Sequence, residues 1–381
     1  MQCWNPTGVW THRHVTTVVS MRLSKPLILH VESSTGLGGQ EIRIFNESRW
    51  LLDHGWGVVL VCQPASRMAA EARVAGVSTV ELHMRSPIDG WALFHLYRVV
   101  TRLGVDLIHT HSSVDSWLGG IVGNARRIPV IRSRHVSIPV KRLTVYRLAD
   151  RIIASGVAIK EILERAGLPP ERVVSIPAGV DLGRFSPRVS GARIRQELGH
   201  TEPLVGLIAD VRGSKGHQIL LAAVPLVLAR VPTARFVVVG DGVGFREVSE
   251  SARAHGLAEY VRLLGFRRDI PEIMAALDVL IAPSLRSEGV SQVILQALAM
   301  GTPVVATNVG GIAEVILDGV TGTLIAPGDP VALASAILSV LRDPGGARRR
   351  AHAGQTIVAD RYTLDRSMEG TLGIYKELIG A

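Results

Sequence analysis

The chain has 381 residues, 47% apolar and 20% charged, a balance that describes a folded globular protein and excludes a disordered one. Its length exceeds what one hydrophobic core usually serves, so two domains are expected. The net charge is +9, but aromatic residues make up only 4% and no nucleic-acid motif is visible, so no nucleic-acid partner is expected.

Residues 1–24 lack the continuous apolar core and small-residue cleavage site of a secretory signal. They read as a disordered extension, or as sequence upstream of a true start at Met21. From there, short β-rich apolar runs alternate with helical periods, the mark of parallel sheets with crossover helices. Strands are predicted at 26–32, 57–62, 77–82, 105–110, 128–133, 151–155 and 173–176, with helices at 40–53 and 91–103 between them. Near Pro177 the rhythm breaks in PAGVDLGRFSP, a turn-forming linker composition. It then restarts with strands at 203–210, 234–240, 260–265, 278–284, 303–307 and 321–327. The expected fold is α/β: two doubly wound, Rossmann-like halves, 25–178 and 179–364. Their strand ends would face each other across a cleft, where open α/β sheets bind ligands. No run of about 18 apolar residues occurs, so no transmembrane helix is predicted. The two cysteines, Cys3 and Cys62, form no framework or metal cluster and fit a reducing, cytoplasmic setting.

Four clusters carry candidate chemistry. Gly36-Leu-Gly38-Gly39-Gln40-Glu41 follows the first strand and opens a helix, so backbone amides could approach an anion there. A dinucleotide fold would want glycine at position 41 and an acid closing the second strand. The chain has Glu41 and Cys62-Gln63-Pro64 instead, which argues against nicotinamide binding and leaves a ligand-free tight turn open. Arg212 and Lys215 lie just past a strand end, where they suit a diphosphate leaving group. Glu288 precedes a helix running to Met300, and either accepts from sugar hydroxyls or is a plain helix-start acid. His109 and His111 close the fourth strand on one face. With no evident third ligand and no Asp-x-Asp pair, metal binding is the weaker reading beside packing or cleft hydrogen bonding. Basic residues crowd Arg126 to Arg151, at Arg127, Arg132, Arg134, Lys141, Arg142 and Arg147. An anionic membrane surface is the better functional reading of that run, beside a merely solvated face.

Together these segments resemble the retaining GT-B glycosyltransferases of family four, the group 1, glycogen-synthase-like class. The resemblance spans about residues 26 to 381. Its most specific piece is SEGVSQVILQALAMGTPVVATNVGGIAEVI, from Ser287 to Ile316. Supporting pieces are GLGGQE, the hinge IPAGVD, the Arg212–Lys215–Gly216 element, Gly240-Asp241-Gly242 and LGFRRDIPEIMAALDVLIAPS. The resemblance implies a transferase that moves a sugar from a nucleotide-diphosphate sugar to a glycan or glycolipid acceptor with retained configuration. It points to cell-envelope or lipopolysaccharide assembly, by a peripheral protein at the inner membrane face, with no metal or other cofactor. Residue by residue, it implies that Glu288 meets the transferred sugar's hydroxyls, and that the backbone of Gly289, Val290 and Ser291 contacts sugar and phosphate. Arg212 and Lys215 would neutralise the diphosphate. Gly38 and Gly39 would line the phosphate or acceptor side, and His111 and His135 the sugar near the reacting carbon. Front-face displacement, with the leaving phosphate helping to take the acceptor proton, would explain why no nucleophile or base stands out.

The chain departs from that family at three places. Gln296 replaces the second glutamate of the Glu-x7-Glu block, so ribose would be held by a neutral amide. Asp210 stands where arginine is usual, and Ala178 where asparagine is common. Two rival readings, a catalytically silent binding module and a nucleotide-sugar epimerase, are weaker. The first would have lost Glu288, Lys215 and the glycine loop together, and the second wants a cleft acid and base for proton abstraction. The C-terminal segment 365–381 is expected to pack back on the first half.

Overall fold

The computed structural model of the protein describes residues 26–380 except 141, 200 and 287. The expectations for residues 1–24, the start at Met21, Cys3 and Lys141 therefore lie outside the described residues.

The inner strands are near-continuously apolar because they are covered on both faces, as parallel sheets require. In the first sheet the strands are β1 (Leu27–Glu32), β2 (Gly57–Cys62), β3 (Ser78–Glu81), β4 (Leu107–Thr110), β5 (Val130–Arg134), β6 (Arg151–Ala154) and β7 (Val173–Ser175). In the second they are β8 (Leu204–Ile208), β9 (Arg235–Val239), β10 (Val261–Gly265), β11 (Val279–Ala282), β12 (Val304–Thr307) and β13 (Thr323–Ile325). The outer strands β3, β7 and β13 are only partly buried. The apolar runs of the sequence thus became strands throughout, and all pairings are parallel. Strand order is β3-β2-β1-β4-β5-β6-β7 in the seven-stranded sheet and β10-β9-β8-β11-β12-β13 in the six-stranded one. Each order reverses once, between β1 and β4 and between β8 and β11. Those switch points are where doubly wound sheets open a crevice at their carboxyl ends.

Two segments join the halves. Val180 and Thr363 pair as an isolated parallel bridge, with Val180 N donating to Tyr362 O at 2.8 Å and Leu364 N to Val180 O at 2.9 Å. A side chain on Gly179 would run into the backbone of Thr363 and Leu364, so only glycine permits this crossing. Beyond it, the helix Leu364–Ile379 lies on the first sheet: Met368 and Tyr375 are buried in one cluster with Ile28, Leu107 and Ile131. Trp50 Nε1 donates to Asp365 at 2.6 Å, and Arg151 pairs with Glu377.

Candidate active site

All four loops at the two switch points carry residues singled out in the sequence. Gly38 and Gly39 follow β1, His111 follows β4, Arg212 and Lys215 follow β8, and Glu288 to Ser291 follow β11.

The wall from the first sheet is built of imidazoles. His30 Nδ1 and His111 Nε2 share a 3.0 Å hydrogen bond. His109 is held between Tyr375 OH at 2.6 Å and Ser133 Oγ at 2.8 Å. His111 and His135 stack with ring centroids 5.8 Å apart. Burial lowers His30 to about 3 and holds His109, His111 and His135 well below the usual imidazole range, with nearby Arg43 adding to the effect. All four are therefore neutral near pH 7, each ring offering one donor and one acceptor. His111 Nδ1 and His135 Nε2 are buried without a protein partner.

Asp115 orients this wall by accepting from His111 N at 2.7 Å, Ser112 N at 2.9 Å and Ser33 Oγ at 2.8 Å. Glu32, at the end of β1, accepts from Ser34 N, Ser112 Oγ and Gln40 Nε2 at 2.5–2.7 Å. Burial first, then Asp115 and Glu41, push its carboxyl up out of the ordinary range. Gly38 opens the helix Gly39–Asp53, its amide donating to Glu41 at 2.7 Å. No protein atom lies within 4 Å of where a side chain on Gly39 would begin, so the fold itself does not demand glycine there.

The opposing wall is ionic. Lys215 Nζ donates to Glu288 Oε1 at 2.6 Å, and Ser284 Oγ donates to the same oxygen at 2.6 Å. Glu288 is buried, and the helix Gln292–Ala299 begins just after it with Ser291 at its N-cap. Gln296 is buried on that helix. Arg212 is different: its side chain is 49% exposed and lies 3.7 Å from Asp210. Asp210 is pushed up, by burial first, despite that arginine.

The walls touch. Val290 N donates to Ser155 O at 3.3 Å, and a Cβ on Gly289 would sit 2.5 Å from Ser155 Oγ and 2.9 Å from His135 O. Glu314 reaches across to accept from Val157 N at 2.8 Å and Ala158 N at 2.9 Å, capping the helix Val157–Arg165 of the first half. Arg67 pairs with Asp241 and Arg268 with Glu71, also across the cleft. So clasped, the two halves set the loop that carries Glu288, paired with Lys215, against the end of β5 where His135 stacks on His111.

Sequence reasoning missed several of these groups. His30 supplies the third imidazole that the sequence did not reveal: one ring nitrogen each of His30, His109 and His111 lies within 4.8 Å of the others. The signal was present, a histidine inside the apolar run of β1, and pairing in register sets His30 beside His109. Glu32, Asp115 and Glu314 needed the fold to be found. The basic run Arg126 to Arg151 is not one face. Arg132 and Arg134 are buried on β5 beside Tyr146, because alternate residues of that strand point under the neighbouring helices.

Comparison with known proteins agrees with this layout. The family "Glycosyltransferase Family 4" matches residues 37–184, and "Glycosyl transferases group 1" matches residues 202–343. A D-inositol 3-phosphate glycosyltransferase of Actinosynnema mirum is 31% identical over 306 residues, 71% of this chain and 72% of that protein. Of the like-named protein of Segniliparus rotundus, 28% identical, the chain spans 66% of the length. A UDP-Gal:alpha-D-GlcNAc-diphosphoundecaprenol alpha-1,3-galactosyltransferase of Escherichia coli is 25% identical over 345 residues, 84% of this chain and 89% of that one. Among solved structures, Anabaena HepE in complex with UDP-glucose superposes with a TM-score of 0.83 at 24% identity, covering 92% of this chain and all of that one. The chain belongs to the group 1, family 4 glycosyltransferases of GT-B fold.

Proposed function

We propose that the protein is a retaining glycosyltransferase that moves a sugar from a nucleotide-diphosphate sugar to a glycan or glycolipid acceptor. Its setting is cell-envelope polysaccharide or lipopolysaccharide synthesis, as a peripheral protein at the cytoplasmic membrane face, without a metal cofactor. The observation that carries this reading is the Lys215–Glu288 pair, set just before a helix start on the loop that meets His135 of the neutral wall through Gly289. Support comes from one relative whose name includes a UDP-sugar donor and a diphosphoundecaprenol-linked acceptor, and from a neighbour in complex with UDP-glucose. No helix among the described residues is long and apolar enough to cross a membrane.

The chemistry follows from the charges. Negative charge develops on the diphosphate as the glycosidic bond breaks. Lys215 and the amides at the start of the helix Gln292–Ala299 are the donors set to meet it, and preorganised donors in a water-poor cleft act there at little reorganisation cost. Glu288, anchored by Ser284 and Lys215, is left to accept from sugar hydroxyls. Neutral His111 and His135 donate or accept without placing a cation near the reacting carbon. Closure through Glu314 and Gly289 supplies positioning.

A donor screen with UDP-, GDP- and ADP-sugars, read as nucleotide release with and without membrane glycolipid, tests the assignment. Release that rises with acceptor and yields a product of unchanged anomeric configuration is expected. Release from no sugar nucleotide, or a product of inverted configuration, overturns it.

A further inference from the structure

The helix Gly90–Leu103 buries only one of its two apolar sides. Asp89 caps it by accepting from Ala92 N at 3.1 Å, and Ala92, Leu96, Val99 and Val100 face the core. A surface helix normally turns polar residues outward on the other side. Here that side carries Trp91 at 54% exposure, Phe94 at 56% and Tyr97 at 40%, with Ile88 at 82% just before the helix. A cluster of large exposed apolar side chains marks a contact surface.

Arginines frame the cluster. The Arg98 guanidinium lies 5.6 Å from the Phe94 ring centre, and that of Arg126 lies 5.3 Å from the Tyr97 ring. Arg85, Arg102 and Arg127 are exposed around them. Asp89 is the only acid between Leu82 and Val105, and it is engaged as the cap. This chemistry excludes a second copy as the natural occupant, because face-to-face pairing would set arginine against arginine. It fits a bilayer interface, where Trp and Tyr rings sit at headgroup level and cations meet lipid phosphates.

We propose that this face seats the protein on an anionic lipid bilayer, with Ile88, Trp91, Phe94 and Tyr97 entering the headgroup boundary and Arg98, Arg102, Arg126 and Arg127 on the phosphates. The inference builds on the glycolipid acceptor proposed above and locates where that acceptor enters. Gln63 Nε2 donates both to Ser33 O at 3.1 Å and to Met84 O at 2.8 Å. The loop leading into this helix is thereby tied to the loop after β1, which lines the cleft. A lipid-anchored acceptor would leave the bilayer at the cleft mouth.

The test is co-sedimentation of the full chain with phosphatidylcholine vesicles, alone or with about a third phosphatidylglycerol, at low and high salt. Binding is expected only with the anionic lipid, and it should weaken with salt. Changing Trp91, Phe94 and Tyr97 together to Ser should lower partitioning by at least about twentyfold. Arg98→Gln with Arg126→Gln should lower it by roughly the same factor, about fivefold per arginine. Thermal midpoint and nucleotide release with a water-soluble acceptor should be unchanged in both variants. A Ser variant that pellets like the parent overturns the inference. So does a parent dimer, seen by light scattering, that the same variant splits. A chain that shows face-dependent vesicle binding but transfers no sugar leaves this inference standing and defeats the proposed function instead.

Discussion

The two walls of the cleft solve the problem of burying polar groups in opposite ways. The first half keeps its wall uncharged: His30 and His111 hydrogen-bond to each other, His109 is held by Tyr375 and Ser133, His135 stacks on His111, and burial holds all four neutral. The second half keeps a formal ion pair, Lys215 with Glu288, at the start of a helix. A neutral wall suits the sugar, because it can meet hydroxyls as donor or acceptor without setting a cation beside the positive charge that develops at the reacting carbon. A paired cation suits a diphosphate, because an incoming anion can take over the lysine as the carboxylate turns to the sugar. If that division is right, changes to the ionic wall should act on turnover, and changes to the neutral wall on stability and its pH dependence.

The largest effect is expected for Lys215→Ala. It removes a charge-neutralising contact made as the diphosphate leaves, worth about two to three orders of magnitude in turnover. It also strands Glu288 with only Ser284, so the thermal midpoint should fall too. Arg212→Ala should cost only about tenfold, since this half-exposed arginine is screened by water and partly engaged by Asp210. Steady-state kinetics on both variants decide. Equal losses would mean that the two cations share the role the structure divides between them.

Glu288 and Gln296 offer a finer cut within the same wall. Glu288→Gln keeps the shape but weakens acceptance from sugar hydroxyls where bonds tighten in the transition state, so kcat should drop about 10- to 100-fold. Gln296→Glu should keep kcat and alter mainly KM, by a few-fold, if that position meets only the unreacting ribose. An intact kcat in Glu288→Gln, with activity abolished in Gln296→Glu, would reverse the assignment.

The neutral wall predicts an acid-sensitive first half. A histidine held below its unfolded value contributes stability that is fully present above about pH 6.5 and is lost as pH falls from there toward the folded value. Each of His30, His109, His111 and His135 can then withdraw up to about 1.4 kcal/mol per pH unit. Glu32 and Asp115, raised by burial, act in the opposite sense. Their stabilisation is present at low pH and is lost as pH rises through their folded values, so they offset part of the fall. Among the described residues of the second half, one such histidine lies near the cleft, His217, lowered to about 4 by burial. Hydrogen exchange at pH 7.5 and 5.5 should therefore show β1 and β4 losing protection more than β11. Equal loss in the two sheets would break the comparison.

The strand pattern was legible because parallel strands buried on both faces leave long apolar runs between turn residues. The switch-point loops were legible through their glycines, Arg212, Lys215 and Glu288, since such loops follow strand ends directly. The clasp was not. Glu314 lies more than 150 residues from the amides it caps, and nothing local distinguishes it from any surface acid. The histidine wall was half legible: His109 and His111 announced themselves by spacing, whereas His30 joins them only through the β1–β4 register. The basic run misled for the converse reason. Proximity in sequence mixed exposed Arg126 with buried Arg132 and Arg134, while the aromatic stripe of Trp91, Phe94 and Tyr97 was diluted by the helix period.

The smallest expected effect is that of metal removal, and it bears on the nature of the neutral wall. His30, His109 and His111 are close enough to be considered as ligands. Tetrahedral zinc would want each nitrogen at about 2.0–2.1 Å from the ion and about 3.3 Å from its fellows. The His30–His111 contact, at 3.0 Å, has hydrogen-bond length, and both nitrogens of His109 already have hydroxyl partners in Tyr375 and Ser133. An ion would have to break that bond and displace one hydroxyl while entering a fully buried site. Dialysis against EDTA should therefore leave turnover within about twofold and the thermal midpoint unmoved, because ligand-linked stability needs a bound ligand to lose. A fall in both, restored by zinc but not by magnesium, would convert the wall from a hydrogen-bonded cluster into a metal centre. A fall restored by magnesium or manganese alone would place a required ion with the diphosphate, and the ionic wall could no longer be credited with neutralising it unaided.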